Sequence, residues 1–351
     1  MSARVAGAGL LAAASLALAA CSSSSSTLPL TTTAPAASAT STSASPTSTP
    51  SATAGAGIAS DASPFSGRAH GAGKPVLVVK FDNTTFAQPH AGLKDADLVY
   101  IEEVEYGLTR IAAVFSSSLP RVVGPVRSAR ISDIDLLAQF GKPAFAYSGS
   151  QHKLRPLLAK ASIYDVSGDM GPSGYFRDGA RRPPYNFMGV PKSLLARAPH
   201  ASAAQDVGFA FSVPVPEGGK AVKQAVVPYP ASQAMFVWNG KAHAFDVYLN
   251  KRPARSAGGG TQHATTAVIQ FVKQSDSGFH DKYGGRTPLL QTVGTGTAWV
   301  LRDGRAWLCT WSRPSATGGT TFTTADGQQM LFAPGQVWVA LVSTKAKVRV
   351  R

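Results

Sequence analysis

Apolar positions fall into distinct regimes along this chain. Residues 5–20 are almost all Ala, Gly, Leu and Val behind a single positive charge, Arg4. The order of charge, apolar core and small residues is that of a secretory signal, and the run is too short and too early to span a bilayer. Residues 22–73 then carry little but Ser, Thr, Ala, Pro and Gly, with Asp61 and Arg68 as the only charges. Such a stretch has too little large apolar surface to offset its ordering entropy, so it reads as a disordered tether. As a flexible coil of about 50 residues it spans roughly 40 Å.

Beyond residue 73 the pattern becomes that of a folded body. Residues 75–81, 98–105 and 108–115 are Val- and Ile-rich runs of strand length, the last two joined by a turn at Tyr106-Gly107. Residues 128–140 place Ile131, Ile134 and Leu137 at helical spacing, with Ser128 available as an N-cap. A short strand at 144–147, a helix over 153–161 and a further helix starting near Pro191 follow. After residue 198 the runs shorten and turn signals multiply: Asn239-Gly240, Asp303-Gly304 and Asp326-Gly327 separate strand candidates at 222–227, 234–238, 242–249, 265–273, 298–302, 306–311, 320–324 and 336–342. The predicted class is α+β: a layered α/β N-terminal domain over 73–212, then a mostly β C-terminal domain over 213–351. The pattern does not give the strand order.

Composition changes this picture in two places. The formal charge is +15, and it is uneven: +4 over residues 73–212 and +10 over 213–351. A basic domain is drawn to nucleic acid, anionic lipid or anionic polymer. Cysteine usage narrows that choice. Only Cys21 and Cys309 exist, and Cys21 follows Leu18-Ala19-Ala20 directly. That signature resembles a bacterial lipoprotein signal, which implies cleavage after residue 20 and lipidation of Cys21, making 1–20 the signal and 21–72 a lipid-anchored linker. The alternative is an ordinary secretion signal with a chance cysteine. Cys309, left without a disulfide partner, sits in an apolar run and reads as a small buried hydrophobe. An anchor outside the cell removes nucleic acid as a partner, leaving membrane, anionic wall polymer or a wall-synthesis protein.

Several compact signatures then recur in order: Lys80-Phe81-Asp82-Asn83, Gln88-Pro89-His90-Ala91-Gly92-Leu93, Leu108-Thr109-Arg110, Gly124-Pro125-Val126-Arg127-Ser128-Ala129-Arg130, Phe176-Arg177-Asp178 and Arg181-Arg182-Pro183-Pro184-Tyr185-Asn186. In the second half Thr292-Val293-Gly294-Thr295-Gly296, Arg302-Asp303-Gly304 and Pro334-Gly335-Gln336-Val337-Trp338 continue the series. Together they resemble the YerB-like lipoproteins, an envelope family whose N-terminal part is classed as a domain of unknown function. The resemblance covers nearly all of the folded region and implies a layered N-terminal domain with a β-rich companion, and no settled activity. Tyr185 departs from the family pattern, which tends to place His there.

The residues themselves offer two chemistries. Arg127, Arg130, Arg177, Arg181 and Arg182 fall in polar, Gly/Pro-rich segments, Arg110 adds a further guanidinium at the start of a strand, and guanidinium forks suit phosphate or carboxylate. Gly149-Ser150 lies between a strand and a helix, where free N–H groups favour an anion. With Asp82, Asn83, Glu103 and Asn186 these form a candidate anion cleft. The competing reading pairs the arginines internally with Glu102, Glu103, Glu105, Asp133, Asp135 and Asp178. Acid–base or metal chemistry from Asp82, His90 and a glutamate is the second option, without any specific motif behind it. No cofactor is implied. Trp299, Trp307, Trp311 and Trp338 are a carbohydrate platform or, as aromatics within strands more commonly are, core.

Overall fold

The computed structural model describes residues 55–351. The signal over 1–20, Cys21 and residues 22–54 of the linker lie outside the described residues. In chain order the strands that build the body are β1 (Leu77–Asp82), β2 (Leu98–Glu103), β3 (Thr109–Phe115), β4 (Ala144–Ala146), β5 (Tyr164–Asp165), β6 (Gln224–Pro228), β7 (Gln233–Asn239), β8 (Ala244–Leu249), β9 (Thr266–His280), β10 (Arg286–Gln291), β11 (Gly294–Arg302), β12 (Arg305–Arg313), β13 (Thr321–Thr323), β14 (Val337–Ser343) and β15 (Arg349–Val350). The α-helices are α1 (Ser132–Ala138), α2 (Arg155–Lys160) and α3 (Pro191–Ala196). With helices this short, the fold is mostly β.

The larger sheet runs β13-β12-β11-β9-β14-β2-β3-β1-β4-β5, and β10 pairs with the outer end of β9. Its central feature is β14. This strand lies parallel to β9 on one side and parallel to β2 on the other, pairing Val337 with both Thr266 and Leu98. Strands from the two halves of the chain thus share one sheet. A central strand flanked on both edges must bury both faces, and β14 reads as a continuous apolar run for that reason. Its odd and even residues serve different cores. Val337, Val339 and Leu341 pack with Leu136, Leu137, Phe140 and Leu158 of the helical side. Trp338, Ala340 and Val342 pack with Phe236, Phe245 and Val247 of a second sheet ordered β8-β7-β6-β15.

Three expectations need correction. The helix predicted over 128–140 begins only at Ser132, because residues 124–127 run along β1: Asp82 N donates to Pro125 O and Arg127 N to Lys80 O. Ser128 caps nothing and instead donates its hydroxyl to Ser148 O at 2.9 Å. The linker does not extend to residue 72. Phe65 is fully buried, edge-on to Phe140 at 5.3 Å, and Ser66 Oγ donates to the buried Asp97. One aromatic and its polar neighbours suffice to fasten a segment of otherwise low complexity. The strand predicted over 265–273 continues to His280, forming with β10 an arm in which β9 is mostly exposed beyond Val272 while Thr287 and Leu290 of β10 are buried. Its polar sequence gives no apolar alternation, and the register shifts between Asp276 and His280, around Gly278 at φ 73°.

Trp307, Trp311 and Trp338 are buried, so they form no platform with Trp299. Cys309 is buried too, and desolvation pushes its thiol up to about 12.

Candidate functional site

Register decides what meets at the end of the large sheet. Arg110 on β3 stands opposite Asp82 on β1 and opposite Glu102 on β2. Strand side chains alternate, so Lys80 shares that face with Asp82. The 124–130 segment beside β1 and the start of α1 bring Arg127, Arg130 and Asp133 over the same row. Above it opens a cavity of about 670 Å³, lined among others by Arg110, Arg127, Arg130 and Ser150 and rimmed by Tyr106 and the arm tip at 280–283. A roomier groove of about 870 Å³ lies beside β12, lined by Trp307, Leu308 and Met330, and no cluster of arginines converges there.

The charges below the cavity form two linked groups. Asp82 Oδ2 accepts from Arg127 Nε at 2.7 Å and faces Arg110 at 3.7 Å, while Oδ1 accepts from Thr84 N and Oγ1. Burial pushes the Asp82 carboxyl up, but Arg110, Thr84 and Arg127 outweigh it and hold the group below the usual carboxylate range. Deeper in, Lys80 Nζ donates to Glu102 at 2.9 Å and to Asp133 at 2.8 Å, with all three side chains buried. One lysine between two carboxylates cannot satisfy both as full charges, so burial and then Asp133 raise the Glu102 pKa. Glu105 is held by Arg130 through two hydrogen bonds, at 2.6 and 2.9 Å, and by Thr287 and Gln151.

The arginines are therefore unequal. Arg130 spends its guanidinium on Glu105 and on Ala129 O. Arg127 uses only Nε. Arg110 is 7% exposed and makes a single hydrogen bond, to Thr109 O, while its buried Nε has no partner. Burial lowers its pKa, Asp82 opposes that, and Arg127 and Arg130 add to it. The residue stays charged regardless, which leaves a buried cation short of acceptors. Ser150 Oγ is likewise buried without a partner.

The remaining sequence candidates lie elsewhere. Asn83 bonds Thr109 and Asn250. Glu103 accepts from Gln274 and does not line the cavity. Arg177 bonds Asn186, while Arg181 binds Asp178 and the carbonyls of Ala87 and Pro89, fastening the Tyr175–Arg177 and Phe187–Gly189 hairpin to the 85–89 loop. Asp82, His90 and a glutamate do not assemble: His90 Nε2 is engaged with the Asp82 carbonyl at 2.7 Å, and burial lowers its pKa to about 4. Gly149 N is taken by Asp169. Ser150 and His152 form no hydrogen-bonded pair. Sequence reading missed Tyr106, Gln151 and the arm tip, whose partners are up to 175 residues away and carry no local signal.

Residues 65–204 match the family described as protein of unknown function (DUF3048), N-terminal domain, and residues 225–339 match the DUF3048 C-terminal domain. The chain is similar to the putative lipoprotein YerB of Bacillus subtilis (strain 168), 25% identical over 283 residues, which is 77% of this chain and 81% of that protein. A crystal structure of the YerB protein from Bacillus subtilis shares the fold, with a TM-score of 0.69 at 20% identity over 82% of this chain and 99% of that one.

Proposed function

The chain belongs to the DUF3048 family of YerB-like proteins, and from that footing we propose that it is a lipid-anchored, extracytoplasmic binding module that receives an anionic group in the cleft above Asp82. In this reading Cys21 carries the lipid, the first half is a layered α/β unit whose sheet end forms the cleft floor, and the basic second half supplies its rim. The ligand belongs to an anionic wall polymer or to a component of wall synthesis. The relative's own description as a putative lipoprotein supports the anchor.

One observation carries the proposal. Arg110 is buried, charged and under-bonded at the floor of a cavity it lines with Arg127, whose terminal nitrogens are free among the described residues. An anion there satisfies donors that the fold leaves unsatisfied, and charge-assisted hydrogen bonds are the strong ones. A hydrolase or transferase acting in the same cleft is the alternative. It needs a carboxylate free to act as acid or base, and Asp82, Glu105 and Asp281 are all engaged.

The test is calorimetric titration of the full chain with inorganic phosphate and with acetate. Saturable binding weakened by about tenfold or more in Arg110→Gln supports the reading, because one charge-assisted bond contributes roughly 1.5–3 kcal/mol. Absence of saturable binding, or binding indifferent to Arg110→Gln, contradicts it.

A further inference from the structure

The cavity is far larger than an anion. At about 670 Å³ it lies within the usual range of small-molecule sites, so a phosphate or carboxylate fills only its floor. We propose that the cleft takes a sugar phosphate, with the phosphate between Arg110, Arg127 and Ser150 and the sugar ring against Tyr106 and Tyr283; this rests on the anion-cleft reading above.

Three features distinguish this ligand class from a simple anion. The first is the arrangement of donors. Arg110 comes from β3, Arg127 from the segment beside β1 and Ser150 from the turn after β4. A planar carboxylate is satisfied by one guanidinium fork, whereas donors reaching in from three separate segments suit the out-of-plane oxygens of a tetrahedral phosphate.

The second is an orphan acceptor. Gln151 lines the cavity, and its Oε1 is buried with no partner. The amide orientation is fixed, since Nε2 donates to Thr287 Oγ1 at 2.7 Å and to Glu105 Oε1 at 3.2 Å. A fully ionised anion offers that oxygen nothing. A ligand hydroxyl satisfies it.

The third is the rim. Tyr106 and Tyr283 are 53% and 76% exposed, one from each half of the chain. Both are held by one carboxylate: Asp281 Oδ1 accepts from Tyr106 Oη at 3.1 Å, from Tyr283 N at 2.9 Å and from Gly285 N at 2.7 Å. Tyr106 also sits at φ 61°, a left-handed conformation uncommon for a bulky residue, and Gly285 leaves the space its ring occupies, since a Cβ there would approach the ring at 2.4 Å. The Tyr106 ring fixed at the mouth of a polar cavity, with the exposed Tyr283 ring on the arm tip, offers the C–H face of a sugar an electron-rich surface to pack on.

The experiment titrates the full chain with inorganic phosphate, glucose 1-phosphate, glucuronate and glucose. The expected order places glucose 1-phosphate about tenfold tighter than inorganic phosphate, ~1.4 kcal/mol, with glucuronate and glucose weaker than both. Tyr283→Ala, at an exposed tip, should erase that advantage and leave the phosphate affinity unchanged. Equal affinity for phosphate and glucose 1-phosphate overturns the sugar assignment while leaving the anion cleft standing. Glucuronate matching glucose 1-phosphate overturns the phosphate assignment. Failure of every anion to bind takes down the anion-cleft reading itself. Competition against glucose 1-phosphate by a soluble sugar-phosphate polymer, and by vesicles bearing a glycosyl-phosphate lipid, separates a wall source from a membrane source. Displacement by either supports the proposal, and displacement by neither counts against it.

Discussion

Glu102 and Asp82 stand two strands apart on the same face and titrate in opposite directions. Asp82 has arginines beside it and is held low; Glu102 shares Lys80 with Asp133 in a dry interior and is raised from 4.5 to about 7. The sign follows from proton counting. A raised carboxyl keeps its proton in the folded chain where the unfolded chain has lost it, so its contribution is complete below about pH 4.5 and disappears as pH rises through about 7. Thermal or denaturant unfolding should therefore show stability declining between about pH 5 and pH 7.5, and Glu102→Gln should flatten that decline. An unchanged slope in the variant would show that Glu102 is ionised in the fold. Asp82 and Glu105 act the other way, withdrawing stability as pH falls into the acid range. Individual residues were only partly legible in the sequence. The 124–130 segment stood out because Arg127 and Arg130 follow Gly124-Pro125 in a polar stretch and not on a long helical face, and both line the cavity. Arg177, Arg181 and Asn186 carry the same local signature yet serve a hairpin, since what separates the two roles is a tertiary neighbour. Gln151 and Tyr106 have no distinguishing context at all.

Strands were easier to locate than to order. The Val-rich runs at 75–81, 98–105 and 108–115 correspond to β1, β2 and β3, because burial on both faces demands continuous apolar sequence. Nothing local could reveal that β14 would slot between β2 and β9, for Leu98 pairs with Val337 across nearly the whole body. The arm of β9 and β10 escaped notice for the opposite reason: β9 turns polar and mostly exposed after Val272, and in β10 only Thr287 and Leu290 are fully buried, so no apolar alternation marks it. The position of β14 has a direct consequence. Removing it strips β2 and β9 of a partner along one edge each and empties both cores of their central side chains. Residues 55–212 and 213–351 expressed apart should each be unfolded or aggregated, and the whole chain should melt in one transition seen alike by fluorescence and circular dichroism. Two separable transitions would mean that the shared sheet does not couple the halves.

The molecule as a whole is basic, and its last residues display how that charge is carried. From Lys345 to Arg351 the four basic residues are exposed, while Ala346, Val348 and Val350 lie partly buried against the core and β15 closes the edge of the second sheet. Near an anionic bilayer each such charge contributes roughly 1 kcal/mol, enough to orient a body that, on the proposal above, is tethered through Cys21, and too little to hold it alone. Chain carrying Cys21→Ala should leave the membrane fraction, yet still sediment with anionic vesicles at low salt and not with neutral ones. Equal, negligible sedimentation with both would leave the basic edge a solubility feature. The claim on which the rest depends is that Arg110 and Arg127 hold an anion together. Their side-chain Nε–Hε signals in the full chain, followed by NMR during a phosphate titration, read this at the atoms concerned. Both signals should shift along one saturable curve, with the Arg127 shift much reduced in Arg110→Gln. Shifts confined to exposed basic residues such as Lys345 and Arg349, with Arg110 and Arg127 unmoved at saturating phosphate, would contradict it.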